Sequence, residues 1–294
     1  MTFLSGFVAI IGPPNVGKST LLNKILGAKL AVTSPKPQTT RNRIMGVLHG
    51  DDHQIVFTDT PGIHKTRTAL HKSMVESALA APQEVDIVIL MIGMDDPGNA
   101  EIPAILRKIR DLAKPCLLVI NKIDKGPREF VLPLIDRLRK THDFEAILPV
   151  SALSGDGVER ILRELQSLLK PGPPFFPKDM NTDQPESFRA AEIIREKIYL
   201  FTAKELPYCS AVTVENMQWG KEGRILSISG KIHVETDSQK GVIIGAGGKM
   251  IKRIGAAARK ELEQLFGTKI YLDLQVRVEK NWTKDTRALR RLGY

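Results

Sequence analysis

The sequence predicts an α/β domain, a mostly parallel sheet with helices on both faces, followed by a small α+β domain. Three observations carry this. Residues 1–170 alternate short Val- and Ile-rich runs with amphipathic stretches. Residues 171–177, PGPPFFP, place four prolines in seven positions. Clean apolar/polar alternation appears only beyond that break.

In the first part, the runs at 7–11, 55–58, 85–92, 116–120 and 146–150 are almost continuously apolar, as strands covered on both faces should be. Residues 102–112 and 158–169 have helical period. Proline fixes φ and lacks an N–H, so 171–185 is expected to be a linker that neither continues a helix nor enters a sheet. In the second domain, 186–294, residues 188–204 read as a helix with Ile194, Ile198 and Phe201 on one face. Leu226, Ile228, Ile232 and Val234 alternate with Ser227, Ser229, Lys231 and His233, which describes a half-buried strand. Ile270 to Val278 repeat that pattern, and 245–265 are helical after a glycine cluster. The order helix, strand, strand, two helices, strand gives a one-sided sheet.

At 294 residues the chain exceeds one ordinary core, in line with two domains. Its 42% hydrophobic and 26% charged residues are those of a folded protein, and no run approaches the roughly 18 apolar residues of a membrane span. The N-terminal MTFLSGFVAII lacks a basic segment and is not expected to be a signal peptide. Cys116 and Cys209, both in apolar segments, exclude a disulfide framework and a cysteine metal site. A soluble cytoplasmic protein is expected. Net charge is +10, and residues 171–294 hold 21 Lys and Arg against 15 Asp and Glu, a balance that favours a polyanionic partner.

Gly12-Pro13-Pro14-Asn15-Val16-Gly17-Lys18-Ser19, followed by Thr20, fits G-x-x-x-x-G-K-[ST] directly after the strand 7–11. The glycines let consecutive backbone N–H groups turn toward phosphate oxygens at a helix N-terminus. Lys18 then reaches the β and γ phosphates, and the Ser19 hydroxyl ligates Mg2+. Asp59-Thr60-Pro61-Gly62 ends the strand 55–58, with a carboxylate for the Mg2+ shell and the Gly62 N–H for the γ-phosphate. Asn121-Lys122-Ile123-Asp124 follows the strand 116–120. The Asp124 carboxylate matches the N1–H and N2–H2 donors of guanine, a pair adenine does not present. Ser151-Ala152 follows the strand 146–150 and brings the Ala152 amide toward guanine O6. All four pieces lie at carboxyl ends of predicted strands, where open α/β sheets bind ligands. GTP and GDP with Mg2+ are the expected ligands.

This motif set resembles that of the translation-factor-like GTPases, and the loop from Pro14 to Thr20 is similar to the Era subgroup in particular. The resemblance implies a P-loop GTPase domain over 1–170. It makes Gln38-Thr39-Thr40-Arg41 the first switch, with Thr40 the Mg2+ and γ-phosphate sensor and Thr39 the fallback. The family usually has a long side chain where this chain has Pro13. Phosphoryl transfer needs positioning and charge neutralisation. Ras-type GTPases orient water with a Gln after the glycine of Asp-x-x-Gly; here Ile63 stands there, so slow intrinsic hydrolysis is expected. Catalysis is assigned to Lys18, Thr40, Asp59, Gly62 and Asn15. In GTPases with a similar loop, an Asn at position 15 coordinates K+ in place of an arginine finger; the alternative is that Asn15 braces the loop. Arg41 and Arg43 read as a solvated basic switch, and His64 and His71 receive no chemistry.

In the second domain, Ile244-Gly245-Ala246-Gly247-Gly248-Lys249 contains a G-x-x-G turn, and five basic residues with no acidic one lie between Lys249 and Lys260. KH domains clamp about four nucleotides with such a turn, where small residues let the phosphate backbone approach. Lys249, Lys252 and Arg253 fall in the first turns after it. The element order resembles a type II KH domain, and the segment from Asn281 to Tyr294 is similar to the Era ending. Many KH loops carry Lys or Arg where this one has Ala246 and Gly247, so contact would rest on backbone amides and Lys249. The resemblance to Era spans essentially the whole chain. It implies a monomeric, GTP-driven switch that binds the 3′ end of 16S ribosomal RNA, acts in 30S subunit assembly and associates peripherally with the inner membrane. A constitutive RNA-binding protein and a P-loop phosphotransferase are the alternatives.

Overall fold

The computed structural model describes residues 2–34, 36, 40–61, 70, 74, 83–220 and 223–294. Thr39 and Gly62, with Gln38, Ile63, His64 and His71, lie outside these. Two compact units divide between Asp183 and Gln184.

The first unit contains, in chain order, β1 (Leu4–Ile11), α1 (Lys18–Leu26), β2 (Ile44–His49), β3 (His53–Asp59), β4 (Ile87–Gly93), α2 (Ile102–Leu112), β5 (Cys116–Asn121), α3 (Val131–Leu138), β6 (Ala146–Pro149), α4 (Val158–Leu168) and β7 (Lys170–Pro171). The sheet order is β2-β3-β1-β4-β5-β6, parallel except for the antiparallel β2 on β3. Every residue of β4 and β5 is buried. Their side chains alternate between two cores: Ile87, Ile89, Leu117 and Val119 join one, while Val88, Leu90, Leu118 and Ile120 join the other. Helices supply the apolar stripes that close these faces, as with Ile102, Ile105, Leu106 and Ile109 of α2.

β2 is an element the sequence patterning does not reveal. Its Gly46 lies against α1, where an added Cβ would come 2.4 Å from Leu26 Cδ1. The Pro-rich segment also departs from its expectation. Lys170 and Pro171 pair antiparallel with Ser5 and Leu4 at the sheet margin, and the Gly172 amide donates to Phe3 O at 3.1 Å. A proline tolerates such a short marginal strand because no further ladder donor is asked of it. Buried Gln54 then clasps the two phenylalanines of the segment. Its Oε1 accepts from the Phe175 and Phe176 amides at 2.7 and 3.0 Å, and its Nε2 donates to Phe176 O at 2.8 Å. The segment is thus a strap bound to the first unit.

The second unit runs α5 (Glu186–Phe201), β8 (Ala211–Trp219), β9 (Ile225–Val234), α6 (Asp237–Ile244), α7 (Lys249–Phe266), β10 (Lys269–Val278) and α8 (Thr286–Arg291). In the sheet β10-β9-β8, β9 pairs parallel with β10 and antiparallel with β8. One core joins Ile194 and Ile198 of α5, Ile228 and Ile232 of β9, and Ile254, Ala258 and Leu262 of α7. Trp282 is wholly buried, and its Nε1 donates to Cys209 O at 3.1 Å. Both cysteines are free and buried.

Candidate functional sites

The loop between β1 and α1 is shaped by backbone requirements before any ligand is considered. Gly12 has φ +151°, and a Cβ there would meet Met91 O at 2.1 Å. Gly17 has φ +99°, and its Cβ would lie 2.4 Å from Asn121 Nδ2. Gly17 is also the N-cap of α1 and supplies no side-chain acceptor, so the first amides of that helix are left for an anion. Asn15 sits at φ +61° and is exposed. Among the described residues it makes no side-chain hydrogen bond, which removes support from the bracing alternative.

Lys18 is buried, and its Nζ donates to Gly12 O at 3.1 Å and Pro13 O at 2.9 Å. Burial lowers its ammonium to about 8, against the opposing charges of Asp59 and Glu101. Three expected metal ligands meet beside it. Ser19 Oγ donates to Asp59 Oδ2 at 2.6 Å and lies 2.8 Å from Thr40 Oγ1, which donates to the same Oδ2 at 3.3 Å. Asp59 is wholly buried, and among the described residues its Oδ1 has no hydrogen-bond partner. Burial raises its carboxyl above the usual range, offset in part by Lys18 and by donors from Ser19, Thr40 and the Thr60 amide. A buried carboxylate oxygen without a donor, beside two hydroxyls, fits a hard cation such as Mg2+.

At the other end, wholly buried Thr60 ties back to Ile10 O through its hydroxyl at 2.9 Å, so it braces the site rather than facing a ligand. Pro61 is buried beside it. Asn121 Nδ2 donates to Val16 O at 2.7 Å, and its Oδ1 accepts from the Ala152 amide at 2.8 Å. The Ala152 amide expected for guanine O6 is therefore engaged by Asn121. A side-chain carbonyl within reach of a buried N–H captures it. Buried Ser151 accepts from the Ser154 amide at 3.3 Å. Lys122, at φ +68°, reaches Asp95 Oδ2 at 2.8 Å, while Asp124 is exposed in the 3-10 turn Ile123–Lys125.

Val32, Thr33 and Ser34 line the same cavity as Asn15, Lys18 and Thr40. No motif marks them; they approach through the loop after α1. The basic pair Arg41 and Arg43 departs from the solvated arrangement expected of it. Arg41 is 4% exposed, and Arg43 pairs with Glu84, so neither is freely solvated. Guanidinium stems bury readily when a carboxylate or carbonyl satisfies the head.

In the second unit, Gly245, Gly247 and Gly248 have φ of +70°, +59° and +76°. A Cβ on Gly245 would meet Met250 Cβ at 2.7 Å and its N at 2.9 Å. Ala246, Gly247, Lys249, Lys252 and Arg253 are exposed, and Ile244 is partly buried. Arg253 is not simply extended toward solvent: its guanidinium stacks 4.2 Å from the centroid of Phe201. Among the described residues no group of three metal-binding His, Cys, Asp or Glu side chains occurs, and no helix is long and apolar enough to cross a membrane.

The family model described as 50S ribosome-binding GTPase matches residues 7–122, and a KH-domain model matches 205–283. GTPase Era of Syntrophus aciditrophicus is 49% identical over 99% of this chain and 95% of its own length. GTPase Era of Geotalea uraniireducens is 50% identical over 99% and 98%. Among solved structures, Era in complex with MgGDPNP and nucleotides 1506–1542 of 16S ribosomal RNA has a TM-score of 0.96 at 41% identity, covering 99% of each chain. An Aquifex aeolicus Era variant bound to GDP and aluminium fluoride has a TM-score of 0.96 at 42% identity, over 100% and 99%. Identity near one half along almost the entire length, together with a GTPase and a KH model matching its two parts, means that the chain belongs to the Era GTPase family.

Proposed function

We propose that the protein is a GTP-hydrolysing switch that uses its second unit to bind the 3′ end of 16S ribosomal RNA during 30S subunit assembly. The carrying observation is the convergence of Ser19, Thr40 and an Asp59 oxygen without a partner among the described residues, beside Lys18. Bound Mg2+ would neutralise developing phosphate charge. Ser19 and Thr40 would supply its hydroxyl ligands, with Asp59 holding the shell. Lys18 would exchange its two loop carbonyls for phosphate oxygens, and the amides of Gly17 and the start of α1 would cradle the same group. Asp124 would read guanine from its exposed turn, with Asn121 holding that turn against the loop. Thr40 and Gly62 would sense the γ-phosphate, with Thr39 the fallback for Thr40, and the absence of a glutamine at Ile63 makes intrinsic turnover slow. Asn15, open at the loop apex, would take K+.

The RNA assignment rests on the positive-φ turn at 245–248, the cations that follow it, and the ribosomal RNA bound by the solved relative. The protein would act in the cytoplasm as a monomer, with the peripheral inner-membrane association that its family implies. The test is crosslinking of the purified protein to total RNA with GDP, a GTP analogue and no nucleotide. The expected result is a nucleotide-dependent adduct at the 3′ end of 16S ribosomal RNA, lost in Gly245→Asp and Lys249→Glu. Equal crosslinking in all three states would favour a constitutive RNA-binding protein and contradict the switch.

A further inference from the structure

Outside the phosphate site, the first unit holds a cavity of about 540 Å3 that shares none of that site's lining residues. Its walls are largely apolar, from Met94, Pro127, Phe130, Pro133 and Leu134. Phe130 is 59% exposed at its edge, although burying such a ring is worth about 2–3 kcal/mol. A second cavity of about 500 Å3 adjoins it, with Pro97 and Arg137 lining both. The combined groove follows α3 from the base-reading turn toward α2.

Charge around this groove is one-sided. Lys122, Lys125, Arg107, Arg110 and Arg137 line it, and Asp95 is the acidic residue among its described walls. Asp95 is already shared by Lys122 at 2.8 Å and Lys125 at 3.9 Å, and Arg110 is held by Thr141 O. Arg107 and Arg137 are exposed and have no ion pair among the described residues. Apolar sockets ringed by unneutralised guanidinium groups suit an amphipathic chain with acidic flanks. RNA fits less well: the sockets are aliphatic and proline-lined, with Phe130 the sole ring available for stacking among their walls.

The geometry points to a docking groove for an acidic segment of a partner protein, anchored by apolar side chains in the two cavities and by carboxylates on Arg137 and Arg107. The groove wall includes Lys122 and Lys125, on the same turn as Asp124, and Asn121, immediately before Lys122, donates to Val16 O of the phosphate loop. On the guanine-reading assignment of that turn, the segment and the nucleotide therefore bias each other's affinity, and by linkage they do so equally.

The test places p-benzoyl-phenylalanine at Phe130 of the full chain in cells and maps the photo-adduct by mass spectrometry. A synthetic peptide of the mapped segment is then titrated onto purified protein with and without Mg-GDP. The expected adduct is a net-acidic protein segment with apolar anchors, whose peptide binds the purified chain. Its affinity should fall at least about tenfold in Arg137→Glu and shift between the nucleotide-free and GDP forms. Arg137 is exposed, so thermal stability and GTP hydrolysis of that variant should match the parent. No adduct, an adduct to RNA, lipid or a second copy of this chain, or a peptide indifferent to Arg137→Glu would overturn the proposal. Those outcomes with GTP hydrolysis intact leave the switch assignment standing; failure of the parent to bind guanine nucleotides would instead remove that assignment.

Discussion

Replacing Asn121 with Ala tests how the turn at Ile123–Lys125 and the loop between β1 and α1 are joined. Asn121 is 3% exposed and makes two short hydrogen bonds, to Val16 O at 2.7 Å and from the Ala152 amide at 2.8 Å. Truncation removes both and leaves two main-chain groups in a dry setting, each costing about 1–3 kcal/mol when unsatisfied. Partial relaxation of the loop and entry of water bring the sum to about 2–4 kcal/mol. Both tryptophans, Trp219 and Trp282, lie in the second unit, so unfolding of the first is followed in urea by far-UV circular dichroism. The nucleotide-free variant should lose about 2–4 kcal/mol of stability, and its GDP dissociation constant should rise at least about tenfold, as expected when about 1.4 kcal/mol of loop organisation is lost. Asn121→Asp keeps the acceptor for Ala152 but sets a carboxylate against Val16 O, so it should be no better than Ala. Stability within about 0.5 kcal/mol of the parent, with unchanged GDP affinity, would refute the brace.

Lys18 gives a pH dependence. Its ammonium is lowered to about 8 by burial, while phosphates favour the charged form, so nucleotide binding takes up a proton above that pH. GDP should bind about tenfold more weakly at pH 9 than at pH 7, and a flat profile would contradict the assignment. In the nucleotide-free protein, the unfolded state holds the Lys18 proton up to its ordinary value of 10.5, so this group adds stability as pH rises from 8 toward that value. Asn15 is exposed at φ +61° with no side-chain partner among the described residues, so K+ should accelerate GTP hydrolysis over Na+, and Asn15→Ala should abolish the difference. Gln54→Ala removes three hydrogen bonds to the strap and should cost about 2–4 kcal/mol in urea unfolding. A change below about 0.5 kcal/mol would show that the strap is held by its prolines and ring contacts instead.

Phosphate-loop chemistry is legible in the sequence because it depends on residue types at fixed spacing. Gly12 and Gly17 are required by close approach and positive φ, and Lys18 and Ser19 converge there on loop carbonyls and on Asp59. The second sheet is legible because β10 alternates strictly with one face covered. β2 hides because Gly46 interrupts its pattern and its reason for being glycine, contact with Leu26, is tertiary. The strap hides because its clasp, Gln54, lies over 120 residues away. The engaged Ala152 amide and buried Arg41 hide for the same reason: sequence names donors and acceptors but not who meets whom.

Recognition of guanine by Asp124 is probed by exchanging the hydrogen-bond pattern of base and side chain together. GTP and xanthosine triphosphate hydrolysis are measured for the parent and for Asp124→Asn. Xanthine carries a carbonyl where guanine carries its amino group, so an amide side chain should suit it as the carboxylate suits guanine. A guanine contact through Asp124 means that the parent turns over GTP and discriminates against xanthosine triphosphate, and that Asp124→Asn reverses the preference. A variant that keeps the parent's preference, or a parent that hydrolyses ATP as well as GTP, would contradict it.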